Sequence, residues 1–354
     1  MNKLIKVGCS ALCGSLATIA TAHAGEMTVS GSADATWVSK SAAVTGNPIG
    51  INSGLTFKGS GELNNGWTFD YTVAQLDAAA FSSAAVGLTM GGFGTINVNQ
   101  GDSGNGIAAY DDKMPTAWEE AWGTGLSTGV RLAVGRAASM NVTYTTPTIL
   151  GTTISLLYAP QYGTADTGDK ATASNDSFRD SAYDATININ PSLGTEILSG
   201  LNIFAGASTI STVQNGGAAN DAYEAVGGVT YSLGPISLGY QVSGDYTGYD
   251  DEGNDTTNQA KINAYKNFAY GVAFNINDNL SVSYGAWEAR KAGRSDTGIS
   301  YADESLRTII VDSIQAAYTM GGASLRIAST SVDNQSWTAG ANYEATTVSL
   351  GLAF

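Results

Sequence analysis

Carboxylates dominate the side chains that could do chemistry. The 354 residues carry 31 Asp and Glu against 16 Lys and Arg, with one His and two Cys. The adjacent pairs Asp111-Asp112 and Glu119-Glu120 raise the question of a glycosidase, which works with two carboxylates. Neighbours on one loop do not face each other across a scissile bond, so neither pair has catalytic geometry. A second acidic cluster comprises Asp245, Asp250, Asp251, Glu252 and Asp255. Oxygen ligands of this kind suit calcium, but the spacing does not match an EF-hand. A solvated acidic connection is the preferred reading, with a structural calcium at Asp250, Asp251 and Asp255 as the alternative. No other cofactor is expected.

The remaining reactive residues, Cys9, Cys13 and His23, all fall in the first 24 positions. There Lys3 and Lys6 precede a short apolar core, residues 7–21, and Ala22-His23-Ala24 follows as a small-residue cleavage site. This is the pattern of a secretory signal peptide, with a core too short to span a bilayer. A chain starting at Gly25 has no disulfide, no Cys or His metal site and no Cys or His nucleophile, which excludes Ser-His hydrolases. Losing Lys3 and Lys6 leaves 14 basic against 31 acidic residues, a net charge of −17. Such a chain has no basic surface for phosphate backbones, so nucleic acid is excluded as a partner.

The elements that position the carboxylates are strands. Apolar residues alternate with Ser, Thr, Asn, Asp and Gly, as at Met27, Val29, Gly31, Ala33, Ala35 and Trp37, and again at Val348, Leu350, Leu352 and Phe354. Tight turns are expected at Asn64-Asn65-Gly66, Gly91-Gly92, Thr146-Pro147, Pro191, Gly234-Pro235, residues 275–279 and Gly321-Gly322. Longer polar connections separate them near residues 39–50, 101–128, 160–179, 211–221, 246–258, 290–303 and 333–344, with a much shorter one at 78–82. Short turns alternating with long connections mark a bacterial transmembrane barrel. The expectation is an all-β, antiparallel barrel of 16 strands over residues 25–354, closed because hydrocarbon leaves no edge unpaired. A bulge or turn is expected between Tyr343 and Val348, where the alternation changes parity.

The apolar set then faces lipid and the polar set faces a wet lumen. Lumen positions include Lys58, Glu62, Asp70, Asp184, Glu224, Lys261 and Arg326, with Trp287 and Phe204 as inward aromatics. The longest connection, residues 101–128, holds Asp102, Asp111, Asp112, Lys113, Glu119 and Glu120, with Tyr110, Met114, Trp118 and Trp122 to dock it against a wall. Outward positions on the first two strands are small: Gly31, Ala33, Ala35, Gly59 and Gly61. Lipid favours bulk and close barrel packing favours small residues, so these mark a homotrimer contact.

Several stretches together resemble the general porins of Gram-negative bacteria. They are Leu55-Thr56-Phe57-Lys58-Gly59, Glu62-Leu63-Asn64-Asn65-Gly66, Gly91-Gly92-Phe93-Gly94-Thr95, and Val134-Gly135-Arg136 followed by residues 141–147. The resemblance implies an outer-membrane trimer of water-filled barrels passing small hydrophilic solutes and ions, surrounded by lipid and lipopolysaccharide. It implies a third outer loop folded inward as a constriction, Arg136 on the wall facing that loop, and recognition of Phe354 by the barrel-assembly machinery. Gly54 and Gln100 stand where the family often has arginine, so a cation-preferring pore is expected. A substrate-specific channel and a loop-mediated adhesin or receptor are the alternatives.

Overall fold

A computed structural model describes residues 25–41, 47–77, 82–161, 179–191, 196–212, 220–248, 261–294 and 308–354. Residues 1–24, Asp250, Asp251 and Asp255 lie outside them.

Among the described residues, sixteen antiparallel strands close into one barrel in which each strand pairs with its sequence neighbours. They are β1 (Glu26–Lys40), β2 (Ile49–Glu62), β3 (Thr68–Leu76), β4 (Ser83–Thr89), β5 (Thr95–Gln100), β6 (Asn141–Thr145), β7 (Thr152–Ala159) and β8 (Arg179–Ile189). The second half continues with β9 (Leu201–Thr212), β10 (Ala222–Leu233), β11 (Ile236–Tyr246), β12 (Lys261–Asn275), β13 (Leu280–Arg294), β14 (Thr308–Met320), β15 (Ala323–Asp333) and β16 (Tyr343–Ala353). β1 pairs with β16 to seal the cylinder.

Six short turns gather at one end, with a longer connection, residues 190–200, in place of the tight turn expected at Pro191. Gly66, Gly91, Gly151, Gly234 and Gly321 sit in them at positive φ, the backbone conformation that tight reversals demand. The longer connections gather at the other end, which in outer-membrane barrels is the extracellular one. Side-chain parity decides burial. Along β14, Ile314 is 64% exposed while Ser313 and Gln315 on either side are buried. Lipid-facing positions are apolar because no water reaches them there, and inward positions are polar.

Two further sequence expectations fail here. β16 runs unbroken from Tyr343, and the change in parity falls in the connection 334–342, where Trp337 belongs to a short 3₁₀ turn. The backbone reverses through left-handed conformations at Asn334, Ser336 and Trp337, which no strand accommodates. Arg136 is not on a strand either. Residues 135–138 form a turn, with Gly135 at φ +56°, and β6 begins at Asn141. The Asn141 amide donates to Ala137 O (2.8 Å) and Ser139 O (2.9 Å), which holds that turn in place of a ladder. The long third connection is therefore residues 101–140, called L3 below.

Candidate functional site

L3 lies against the inward side chains of one half of the barrel. Its backbone would be left unsatisfied without partners, and the wall supplies them. Ile107 N donates to Asp184 Oδ2 on β8 at 3.0 Å. Ala117 N donates to Ser283 Oγ on β13 at 2.8 Å. Gln315 on β14 holds the loop three times. Its Oε1 accepts from Trp118 N (3.2 Å) and Glu119 N (3.0 Å), and its Nε2 donates to Glu119 O (2.6 Å). The Thr124 hydroxyl bonds to Thr330 on β15, and Ser336 N donates to Thr128 O at 3.0 Å.

The loop then returns across the same wall. Arg131 Nε donates to Asp245 Oδ2 on β11 (2.9 Å), Asn267 Nδ2 on β12 donates to Arg131 O (2.7 Å), and Gly135 N donates to Glu224 Oε2 on β10 (2.9 Å). Side chains fill the space beneath. Tyr110 stacks on Phe204 at 4.9 Å, and Trp122 meets Trp287 edge-on at 6.3 Å. Gly239, Gly271 and Gly285 are paired in register on β11, β12 and β13. Their missing side chains leave a furrow in which Pro115 lies over Gly239 and Gly271, and Ala121 over Gly285.

The candidate residues thus separate by role. Asp184 and Glu224 are buried, and they accept L3 backbone N–H groups instead of facing open solvent. Asp245, the first of the acidic cluster, is a β11 residue paired with Arg131. Trp287 and Phe204 are docking posts under L3, which removes the aromatic support for a sugar-specific channel. Glu120 is only 4% exposed and accepts from Met114 N at 2.9 Å, so it faces the loop's own interior and not the lumen. Burial pushes its carboxyl up to about 8, against an ordinary 4.5, and it holds its proton at neutral pH. Burial, together with the adjacent Asp112, lifts Asp111 to about 6.

Asp112, Lys113 and Glu119 are exposed, and Asp102 and Asp111 partly so. Asp112 lies 3.4 Å from Lys113. Between the first limb of L3 and the wall of β4 to β8 is a cavity of about 550 Å³ lined by Asp102, Lys113, Asn97, Asn99, Thr143 and Asn188 among others. Inward charges on the wall from β1 to β7 are few. Lys58 and Glu62 are exposed and Asp70 half-buried. Arg326 on β15 donates to Asp34 Oδ1 at 3.0 Å and has Trp118 beneath its guanidinium at 5.9 Å. Gln100 falls on the outward register of β5, so Asn97 and Asn99 are the residues that face the lumen there. The backbone of Lys261 opens β12, opposite Arg294.

The sequence matches the Gram-negative porin family over residues 8–312. The chain belongs to that family. Gram-negative porins are outer-membrane channel proteins, not enzymes, and the barrel described above is theirs. The porin is similar in fold to a porin refined at 1.8 Å resolution, with 13% identity and a TM-score of 0.62, covering 93% of this chain and 100% of that one. An anion-selective porin from Comamonas acidovorans gives 15% identity and a TM-score of 0.59, again over 93% and 100% of the two chains. OmpT of Vibrio cholerae in a trimer form gives 11% and 0.61 over 94% and 100%. No curated protein sequence matches significantly.

The anchors of L3 escaped the sequence analysis, which sought charge at the aperture. Gln315, Ser283, Asn267 and Thr330 are of the same polar types as the rest of the lumen face, so residue type does not set them apart. The available signal was the glycine at the same inward register of β11, β12 and β13, since a wall that needs no ligand has no reason to lose three side chains in a row.

The outward small residues divide as well. A Cβ on Gly31 would lie 2.5 Å from the Phe354 ring, and one on Gly61 would lie 2.5 Å from the Phe69 ring. These two glycines make room for the porin's own aromatics and not for a neighbouring barrel. Gly59 has nothing within 4 Å of the same position. Gly59, Ala33 and Ala35 remain as candidates for a contact between barrels.

Proposed function

We propose that this porin is a diffusion channel for small hydrophilic solutes that prefers cations and works as a homotrimer. The observation that carries the reading is the asymmetry of the lumen. L3 is fastened to the wall from β8 to β15, and its free edge presents Asp102, Asp111, Asp112 and Glu119. Across from it the wall offers Thr, Ser and Asn with Lys40, Lys58, Glu62 and Asp70, while Arg326 is matched by Asp34 and Arg131 by Asp245. Fixed negative charge beside a narrow aqueous path concentrates cations over about a Debye length, roughly 8 Å at physiological salt. In this reading L3 is the constriction. Export uses residues 1–24 as a signal cleaved after Ala24, the assembly machinery reads Phe354, and Gly59, Ala33 and Ala35 pack against a neighbouring barrel.

Single-channel recording in a planar bilayer under a potassium chloride gradient tests it. Stepwise conductance with a reversal potential of cation-selective sign is expected. An anion-selective sign would overturn the preference, and absence of conductance would overturn the channel itself. Chemical cross-linking in mild detergent that yields monomers alone would overturn the trimer.

A further inference from the structure

The cavity of about 550 Å³ lies beneath the first limb of L3, against the inward side chains of β4 to β8. Thr145 closes β6, Thr153 is the second residue of β7 and Asn188 the last but one of β8. The cavity therefore reaches from L3 down to the tight turns of the periplasmic end. Its volume is within the range of small-molecule sites, roughly 300–1,000 Å³.

The lining is rich in acceptors and short of donors. Its amide N–H groups are spent inside the protein. Asn99 Nδ2 donates to Asn141 Oδ1 at 2.9 Å, Asn105 Nδ2 to Asp102 O at 2.8 Å, and Asn97 Nδ2 to Thr143 Oγ1 at 3.5 Å. The hydroxyls of Thr145 and Ser155 are 3.1 Å apart, so one O–H is spent between them. A hydroxyl carries two lone pairs against one O–H, so acceptor capacity remains. The Oδ1 atoms of Asn105 and Asn188 are buried and accept no hydrogen bond among the described residues. Buried acceptors call for a donor, and the terminal torsion of Asn is soft enough to turn either oxygen towards one in the cavity. Tyr110 is the aromatic residue of the lining, but its ring is stacked on Phe204 and its hydroxyl is bonded to Thr186. Recognition here rests on hydrogen bonds and not on stacking.

We propose that the cavity beneath L3 binds neutral polyols, solutes with many hydroxyl donors and no charge. The proposal rests on the channel reading above and names one class of solute that is held in it. A polyol supplies the donors that the amide oxygens and hydroxyl lone pairs require. An ether of the same size accepts along its chain and leaves those oxygens unpaired. The charged residues of the lining, Asp102 and Lys113, are opposite in sign. A diammonium ion would also donate, but it meets Lys113, and ions lose hydration that neutral walls do not replace. Cations thus follow the acidic free edge of L3, while neutral polyols pause in the cavity.

Saturation-transfer NMR of the porin, solubilised in a detergent without sugar headgroups, tests the site with sorbitol as the probe. Sorbitol should receive saturation that levels off with concentration. Tetraethylene glycol, which is of similar size and has O–H only at its ends, should not displace it. Losing one neutral hydrogen bond weakens binding roughly fivefold, which is the effect expected of Asn188→Leu. Ala85→Leu removes no polar atom and fills the cavity from β4, so it should weaken sorbitol at least as much. Both variants are measured on barrels that keep their heat-modifiable shift on gels. Equal displacement by tetraethylene glycol, or unchanged sorbitol binding in both variants, would overturn the proposal. Tighter binding of putrescine, a small diammonium, than of sorbitol would overturn it too, by marking a cation site. Potassium chloride conductance of the unmodified porin is recorded separately. The NMR contrast needs no current, so a silent bilayer counts against the channel reading and not against the site.

Discussion

The ring of Phe354 lies over Gly31, and the two residues also exchange backbone hydrogen bonds, Gly31 N to Phe354 O at 2.7 Å and Phe354 N to Gly31 O at 2.9 Å. The contact sits at the β1–β16 seam, where the barrel closes. An aromatic laid over a strand glycine covers backbone that would otherwise meet lipid bare, and it fixes the register of the pair. Phe69 does the same over Gly61 between β3 and β2.

Gly31→Val should therefore destabilise the folded barrel by about 1–3 kcal/mol, the usual cost of overpacking a filled site. Gly59→Ala, at a position with open space around it, should leave the barrel's own stability near that of the parent. Urea titration in detergent, followed by the heat-modifiable shift on gels, compares the two. Equal midpoints would mean that the Phe354 ring is not held at the seam.

Gln315 carries three hydrogen bonds to two successive residues of L3, and no other wall side chain holds as much of its backbone among the described contacts. Gln315→Leu leaves the part-buried N–H groups of Trp118 and Glu119 without this acceptor, at about 1 kcal/mol each. The loop should detach at this point while the strands persist. Single-channel traces should show added current noise and brief closures, and trypsin should reach Lys113 sooner. A quiet channel with unchanged proteolysis would assign the anchoring to the furrow over Gly239 and Gly271 instead.

The docked loop should also respond to pH through Glu120. Its carboxyl titrates near 8 when buried, against 4.5 when free. Between these values the docked loop binds a proton that the released loop lacks. Docking is therefore at full strength below about 4.5 and weakens as pH rises towards 8. Current noise should grow over that window, and Glu120→Gln, which imitates the protonated acid, should flatten the dependence. Noise that grows as pH falls would contradict the burial of this group.

Selectivity should change in steps. Asp112→Asn and Glu119→Gln each remove an exposed charge and should each lower the cation preference. Two unit charges about 4 Å apart in water interact by only about 1 kcal/mol, so no single change should abolish it. Lys58→Gln should raise it, and Glu120→Gln should leave it unchanged at neutral pH. The reversal potential at low salt, where screening is least, is the measurement. A Glu120→Gln effect as large as that of Glu119→Gln would show that Glu120 reaches the lumen ionised.

The barrel was legible in the sequence because lipid enforces a rule at every second residue. Strand number, six of the seven tight turns and the alternation of short with longer connections follow from the residue pattern and from glycine at the reversals. L3 was legible as a docked loop from Tyr110, Met114 and Trp122, but its extent was not. Val134-Gly135-Arg136 alternates like a strand, and only the Asn141 side chain, capping the turn before it, reveals that pairing begins later. The aperture charges were read from residue type alone, and type does not distinguish Glu119, which is exposed, from Glu120, which is folded under. Adjacent positions on an irregular segment point in directions that no period predicts.

The bonds that fasten L3 connect residues far apart in the chain: Trp118 to Gln315 spans 197 positions and Thr124 to Thr330 spans 206. Contacts of such separation form late, because the entropy of closing the intervening chain must be overcome first. During assembly the strap leaves the wall after β5, its first fastenings arrive with β8 to β12, and its last arrive with β13 to β15. The cylinder must therefore curl around a segment that is only partly fastened, and, with L3 as the proposed constriction, the bore reaches its final width only once the last strands stand in place. An immature barrel is a wider hole than the finished one, so closing the wall and setting the permeability are the same event.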